Sequence, residues 1–333
     1  MSIPRRTILG LAGAGLLPRL LARPFLFEVD RLLDEIPQSR ANVCQRRYGA
    51  KATITLLSVP IVSRAGVGSG YIVTEQSSGR EDVAGPGSRT VGIQFGAGSW
   101  PEAARGLNRL GFIQEGVVED HSGQLLECAY FAFMTTSQEE NLDQAKKALE
   151  SSDGTVPYVA AEGEGRPGRF ASRLHRIGFP SRLTWRDCPL LVDKVRAVVS
   201  SEAPAQRMEK TLPAREAAPS TFLYAVRKAI LDPNLTSTGS LIYNGKEFEL
   251  RTEKEPDAVA SAHFAMKNLV REGGRVMRLN ATLREYATGR QTPFKVWYEA
   301  GSEHMPPLRF EYQARPFLRL TFEYDPATSG PDI

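Results

Sequence analysis

The strongest constraint in this sequence is a period of two. Leu308, Phe310 and Tyr312 alternate with Arg309, Glu311 and Gln313. After Ala314-Arg315-Pro316 the alternation resumes, with Leu318, Leu320, Phe322 and Tyr324 set against Arg319, Thr321 and Glu323. Successive side chains of a strand point to opposite faces, so each run makes a strand with one apolar and one polar face. A helical period of 3.6 would scatter the same residues around a cylinder. Met277, Leu279, Ala281 and Leu283 repeat the pattern, and Leu241-Ile242-Tyr243 and Phe248/Leu250 flank Asn244-Gly245, the dipeptide of a two-residue primed turn.

The first half reads the same way. Ala52, Ile54 and Leu56 alternate with Lys51, Thr53 and Thr55, which places the apolar set on the buried face. Residues 90–95 and 170–179 read as strands. Residues 112–118 and 125–134 read as a hairpin joined at Asp120-His121-Ser122-Gly123. Helical spacing is confined to fewer segments. SQEENLDQAKKALE, residues 137–150, carries a Ser137/Glu140 capping box and late lysines. Residues 184–199 and 219–231 show apolar stripes, the second stopped by Asp232-Pro233-Asn234. Shorter helices are expected at 25–36 and 101–107. The fold class expected is mainly β (α+β): an antiparallel half-barrel or strongly curved sheet with a few packed helices. The division expected is an export signal over 1–22, a short helical lead-in over 24–45, one β-rich domain over 46–325 and a tail over 326–333.

Two glycine-rich stretches invite a nucleotide reading. In RAGVGSGY, Gly66, Gly68 and Gly70 alternate, and the residue after them is Tyr71 rather than the start of a helix. Neither the dinucleotide fingerprint nor the phosphate-loop pattern is completed. The glycines are read as a turn or bulge between strands. Gly163-Glu164-Gly165-Arg166-Pro167-Gly168 does spell G-x-G-x-x-G. Glu164 would repel a phosphate and Pro167 lacks a backbone donor, so this stretch is read as a surface loop.

The first residues read as an address. Arg5-Arg6 precede the apolar run from Ile8 to Leu17, which is too short for the ~20 residues of a membrane span. It fits the apolar region of a secretory signal. Arg5-Arg6-Thr7-Ile8-Leu9 resembles a twin-arginine export signal, although Pro4 stands where Ser or Thr is usual. Ala22 is the nearest fit to a cleavage site. These features place the protein in the periplasm or elsewhere in a bacterial envelope. The formal charge is +4. Without Arg5, Arg6 and Arg19 it falls to about +1, so no basic footprint for nucleic acid exists. No later segment is apolar enough to span a membrane as a helix.

Candidate chemistry is sparse. Cys44, Cys128 and Cys188 form no C-x-x-C pair; two of them could bond in an oxidising compartment. His121, His175, His263 and His304 have no metal-ligand spacing. His304, beside Glu303 in the 301–307 loop, is the best single acid–base candidate. No G-x-S-x-G elbow is present. Trp100, Trp185 and Trp297 could line a cavity or simply fill core. No catalytic, cofactor-binding or metal-binding residue is assigned, and no cofactor is expected.

Phe294-Lys295-Val296-Trp297, Pro306 to Tyr312 and Leu318 to Tyr324, with the Ser220-to-Tyr224 helix start, resemble a family of exported bacterial proteins of unknown function. The match is best over residues 219–325. It implies an envelope location and a β half-barrel closed by helices, akin to periplasmic lipoprotein carriers, and it transfers no catalytic residues. The function expected is a non-enzymatic envelope protein that binds an apolar or lipid-like ligand or an envelope partner. The alternatives are an exported hydrolase with a site assembled from distant residues, and a structural or assembly factor.

Overall fold

The computed structural model describes residues 43–56, 59–78, 87–99, 110–135, 155–180, 206–211, 220–243, 246–315 and 317–327. The strands among these described residues are β1 (Val43–Leu56), β2 (Val59–Ser78), β3 (Arg89–Ser99), β4 (Leu110–Glu119), β5 (Leu125–Thr135), β6 (Thr155–Arg166), β7 (Arg169–Pro180), β8 (Gln206–Thr211), β9 (Thr236–Tyr243), β10 (Lys246–Pro256), β11 (Val276–Glu285), β12 (Gln291–Glu299), β13 (Arg309–Arg315) and β14 (Leu318–Tyr324). Two helices among the described residues are α1 (Phe222–Leu231) and α2 (Ala258–Met266). The expected fold class is observed: mainly β, antiparallel, with the sheet curved and open.

The strands form one sheet in the order β8-β7-β6-β5-β4-β3-β2-β1-β14-β13-β12-β11-β10-β9. It is two meanders joined at a central seam, where β1 pairs with β14 (Tyr48 with Tyr324, Ala50 with Phe322). The consecutive strands β8 and β9 therefore lie at opposite edges, and α1 sits in the chain between them.

The sheet curls tightly. β5 and β9 are ten places apart in the order, which in a flat sheet would mean roughly 47 Å. Yet the rings of Tyr130 on β5 and Tyr243 on β9 lie 5.8 Å apart. Ile242 packs with Tyr130, Ala161 and Phe170 from β5, β6 and β7. α1 lies inside this curve. Tyr224 packs with Val91, Val117, Leu125 and Cys128 on one side. Val226, Ala229 and Ile230 pack with Leu241, Leu250, Leu279 and Val296 on the other. At the seam Phe310 and Phe322 stack at 4.7 Å, with Tyr48 and Phe95 edge-on to Phe310.

The convex face is not uniformly wet. α2 covers it beside β11 to β14, burying Phe264, Trp297 and Leu308. Arg309 lies over the rings of both Phe264 and Trp297. Further along, the convex residues Tyr71, Phe112, Phe131 and Phe133 are also buried.

Several expectations are corrected. The Gly66–Gly70 stretch does not turn one strand into the next. It lies within β2, and the register against β1 jumps between Ala50/Gly68 and Lys51/Ala65, a bulge in which Gly66 takes φ +65°. The G-x-G-x-x-G stretch is a hairpin rather than a loop. Gly163 and Gly165 are buried within β6, and only Pro167-Gly168 form the turn, with Arg166 paired to Arg169. Gly163 leaves room for the Tyr130 ring, since a Cβ there would stand 2.4 Å from its Cε1. The faces of β1 are reversed near its end. Thr53 and Thr55 are buried while Ile54 is exposed, as are Ile61 and Val62 on β2. Beyond the bulge the β1–β2 hairpin leaves the core, and Thr53 instead bonds the Ser63 hydroxyl at 3.0 Å.

α2 was not anticipated. Only Ala260 and Phe264 are buried along it, too narrow a stripe to register as a period. The strands expected at 90–95, 112–118, 125–134 and 170–179 and the helix at 219–231 are present. The two-residue link of β9 to β10 is framed by the Tyr243–Lys246 pair. The helices expected at 25–36, 101–107, 137–150 and 184–199 lie outside the described residues, as do Arg5, Arg6, Trp100, Trp185 and Cys188. Among the described residues no helix is long and apolar enough to cross a membrane.

Candidate functional site: an apolar cavity roofed by a helix

Between α1 and the concave face is a cavity of about 380 Å³. Its floor comes from Ile72, Ile93 and Phe95 in the first meander and from Leu283, Phe294, Val296 and Phe310 in the second. Its roof is Phe222, Leu223, Val226, Arg227 and Ile230 of α1. The 303–307 loop closes one rim. Alternation puts these floor residues on the concave side: Ile72 pairs with Phe95, and Phe294 with Tyr312.

The roof is fixed at both ends by buried charges. No acidic residue lies in the first turn of α1, and Thr221 at its N-cap makes no capping bond with its own hydroxyl. Instead Glu115 of β4 accepts from the N–H of Leu223 at 2.8 Å, the N–H of Tyr224 at 2.9 Å and the Thr221 hydroxyl at 2.5 Å. A carboxylate is favoured there by the free amides and the positive end of the helix. Burial nevertheless pushes the Glu115 carboxyl up to about 7, against the lowering effect of these hydrogen bonds. At the other end Lys254 of β10 donates to the carbonyls of Ile230, at 3.1 Å, and Asp232. One turn into α1, the Tyr224 hydroxyl donates to Glu119, which also pairs with Arg89.

The rim loop is fastened to the seam. Arg46 and Tyr48, on the concave side of β1, donate to the carbonyls of Pro306 and Pro307, the second at 2.7 Å. This attachment brings Glu303, His304 and Met305 to the cavity. Glu303 itself accepts from the N–H of Gly301 at 2.9 Å.

The four histidines are dispersed. His304 is at the rim. His121 is exposed in the β4–β5 turn. His175 is buried on the convex side, 3.6 Å from Glu162. His263 on α2 meets Glu323 at 2.8 Å. Among the described residues no cluster of three or more His, Cys, Asp or Glu is placed to hold a metal ion. Among the described residues no Ser or Cys lines the cavity beside His304. Cys44 is a free thiol, and Cys128 is packed in core, where burial pushes its thiol up. Trp297 is core under α2 and donates its indole N–H to Asp257 at 2.9 Å.

Sequence reasoning placed Leu283 and Phe310 of the floor on apolar strand faces and His304 in a loop. It missed Glu115, Lys254 and Arg227. Each is one charged residue in an otherwise ordinary strand or helix, and only the curl of the sheet brings Glu115 and Lys254 to α1. Comparison with protein-family models, with curated proteins and with solved structures found no match.

Proposed function

We propose that the protein is an exported component of a bacterial envelope that holds an apolar ligand in the cavity beneath α1. The observation that carries this reading is the cavity itself: a partly open space walled mainly by aliphatic and aromatic side chains from both meanders and the helix. Filling it with a ligand would remove apolar surface from water at roughly 25 cal/mol per Å². Its size falls within the range of about 300–1,000 Å³ common to small-molecule sites. The export half of the reading rests on Arg5-Arg6 and the Ile8–Leu17 run. The resemblance to exported half-barrel proteins adds support, because its residues Phe294, Val296, Phe310 and Tyr312 are cavity-lining positions.

Purified protein extracted with organic solvent and analysed by mass spectrometry should release a defined apolar compound, and the extracted protein should then bind a neutral apolar fluorophore such as N-phenyl-1-naphthylamine. Clean extracts together with no fluorophore binding would remove the ligand-binding reading.

A further inference from the structure

The cavity wall carries one cation whose surroundings do not complete its hydrogen bonding. Arg227 projects from α1 among Leu223, Val226 and Ile230. Among the described residues its only direct partner is the Gln76 side chain, at a long 3.4 Å, and its Nε is buried without a partner there. Leaving a buried donor of a charged group unfulfilled is costly.

The nearby carboxylate does not remedy this. Glu119 is taken by the Arg89 guanidinium and the Tyr224 hydroxyl. Glu119, Tyr224, Arg89 and Cys44 act on Arg227, so the Arg227 and Arg89 guanidinium ions share the Glu119 carboxylate. Burial lowers the Arg227 pKa, in keeping with a cation that lacks full compensation. The other charged residues of the wall are engaged elsewhere. Glu303 sits toward Lys254 and Tyr298, whose ionisation it influences. Glu311 faces Arg319 at 3.7 Å and the Thr321 hydroxyl at 3.3 Å.

We propose, building on the apolar-ligand reading above, that the cavity takes a single-chain amphiphile with an anionic end: the chain lies along Phe95, Phe294, Val296 and Phe310, and the carboxylate or phosphate is held by the Arg227 guanidinium. A planar guanidinium presents paired donors that match either anion. The volume, near the lower end of the usual ligand range, suits one chain rather than two. The anion would complete the hydrogen bonding of Nε and supply a counter-charge that Arg227 need not share with Arg89.

The test is displacement of N-phenyl-1-naphthylamine from the full-length protein by laurate, dodecyl phosphate and methyl laurate. The two anions should compete at concentrations at least tenfold lower than the neutral ester. Arg227→Gln should remove that advantage and leave the ester unchanged, while Arg227→Lys should keep part of it. A preference for laurate alone assigns a carboxylate; a preference for dodecyl phosphate alone assigns a phosphate; both support the anionic end. Equal competition by anions and ester in the wild-type protein overturns the inference while leaving apolar binding intact, and it does not depend on the variants folding. An anion advantage that survives Arg227→Gln overturns the assignment to Arg227. Absence of fluorophore binding by any form overturns the underlying apolar-ligand reading instead.

Discussion

Glu115 on β4 and Lys254 on β10 hold the two ends of α1 from opposite meanders, the acid on the amides of Leu223 and Tyr224 and the amine on the carbonyls of Ile230 and Asp232. Each charge has the sign that the helix end favours. The ten residues of α1 put the two anchors about 15 Å apart. Glu115→Gln replaces an acceptor-only group with one whose NH₂ faces other donors, and should cost about 1.5–3 kcal/mol. Lys254→Met should cost about 1–2 kcal/mol by leaving two carbonyls short of a partner. At this separation the double variant should show the sum within about 0.5 kcal/mol. Urea unfolding of the four proteins reads all three values; strong non-additivity would mean that the helix is not anchored independently at each end.

The pH dependence of stability should carry the mark of Glu115. Its folded pKa is about 7 against 4.5 for the free group. Below pH 4.5 both folded and unfolded states hold the proton. Between 4.5 and 7 only the folded state does, so stability declines as pH rises through this window and levels off above it. The drop from this group is about 3 kcal/mol, following 1.36 kcal/mol per pKa unit. Denaturant titrations at pH 4.5, 6 and 8 should show the decline in the wild type and a flatter profile in Glu115→Gln. Parallel profiles would remove Glu115 as the source.

Glu323 should act with the opposite sign. Burial works to raise its pKa, but hydrogen bonds from Lys267 and His263 and the Arg309 guanidinium hold it at about 2. Its contribution is present above pH 4.5 and is lost as pH falls toward 2. Glu323→Gln should therefore be destabilising at pH 6 and nearly neutral at pH 2, measured by thermal unfolding. An equal cost at both values would show that shape rather than charge matters there.

Gly163→Ala tests why β6 contains a glycine-rich fingerprint without a phosphate site. The added methyl would meet the Tyr130 ring, whose hydroxyl is 3.1 Å from that of Ser172. Overpacking of this kind should cost about 1–3 kcal/mol. Calorimetry of Gly163→Ala alongside Gly163→Ala/Tyr130→Leu should show the penalty relieved in the pair. A harmless single substitution would mean that the ring moves aside.

Export can be tested without reference to the cavity. Changing Arg5 and Arg6 to Lys keeps the charge but removes the guanidinium pair that a twin-arginine translocase reads. Precursor should accumulate in the cytoplasm of fractionated cells. Unimpaired export of the double-Lys protein would leave general secretion as the route, and an unchanged location after deletion of residues 1–22 would remove the export reading.

The strands were legible wherever one face is dry and the other wet. β11, β13 and β14 announce themselves this way, as does the Asn244-Gly245 link of β9 to β10. Legibility failed where tertiary context reverses the local pattern. Ile54 is exposed and Thr53 buried because a bulge carries the hairpin away from the core. The convex face around Phe131 and Phe133 is buried too, so β5, though read as a strand over 125–134, gave no sign of which face is dry. α1 was visible from Leu223, Val226 and Ile230, but its capping was not. The acid that serves its N-terminus lies 108 positions earlier than Leu223. Arg227 looked like any helical arginine until the cavity surrounded it.

The central seam has a consequence for the order of assembly. β1 is made before any other strand of the sheet and β14 after all of them, yet they are neighbours. Each meander can zip from local hairpins as it emerges, whereas the join between them must wait for the whole domain to be synthesised. Such a distant contact is slow to find, and until it forms β1 presents an unpaired edge that can recruit other chains. Docking of β14 closes that edge, so a chain of this topology is safest from mispairing only once its last strand is in place.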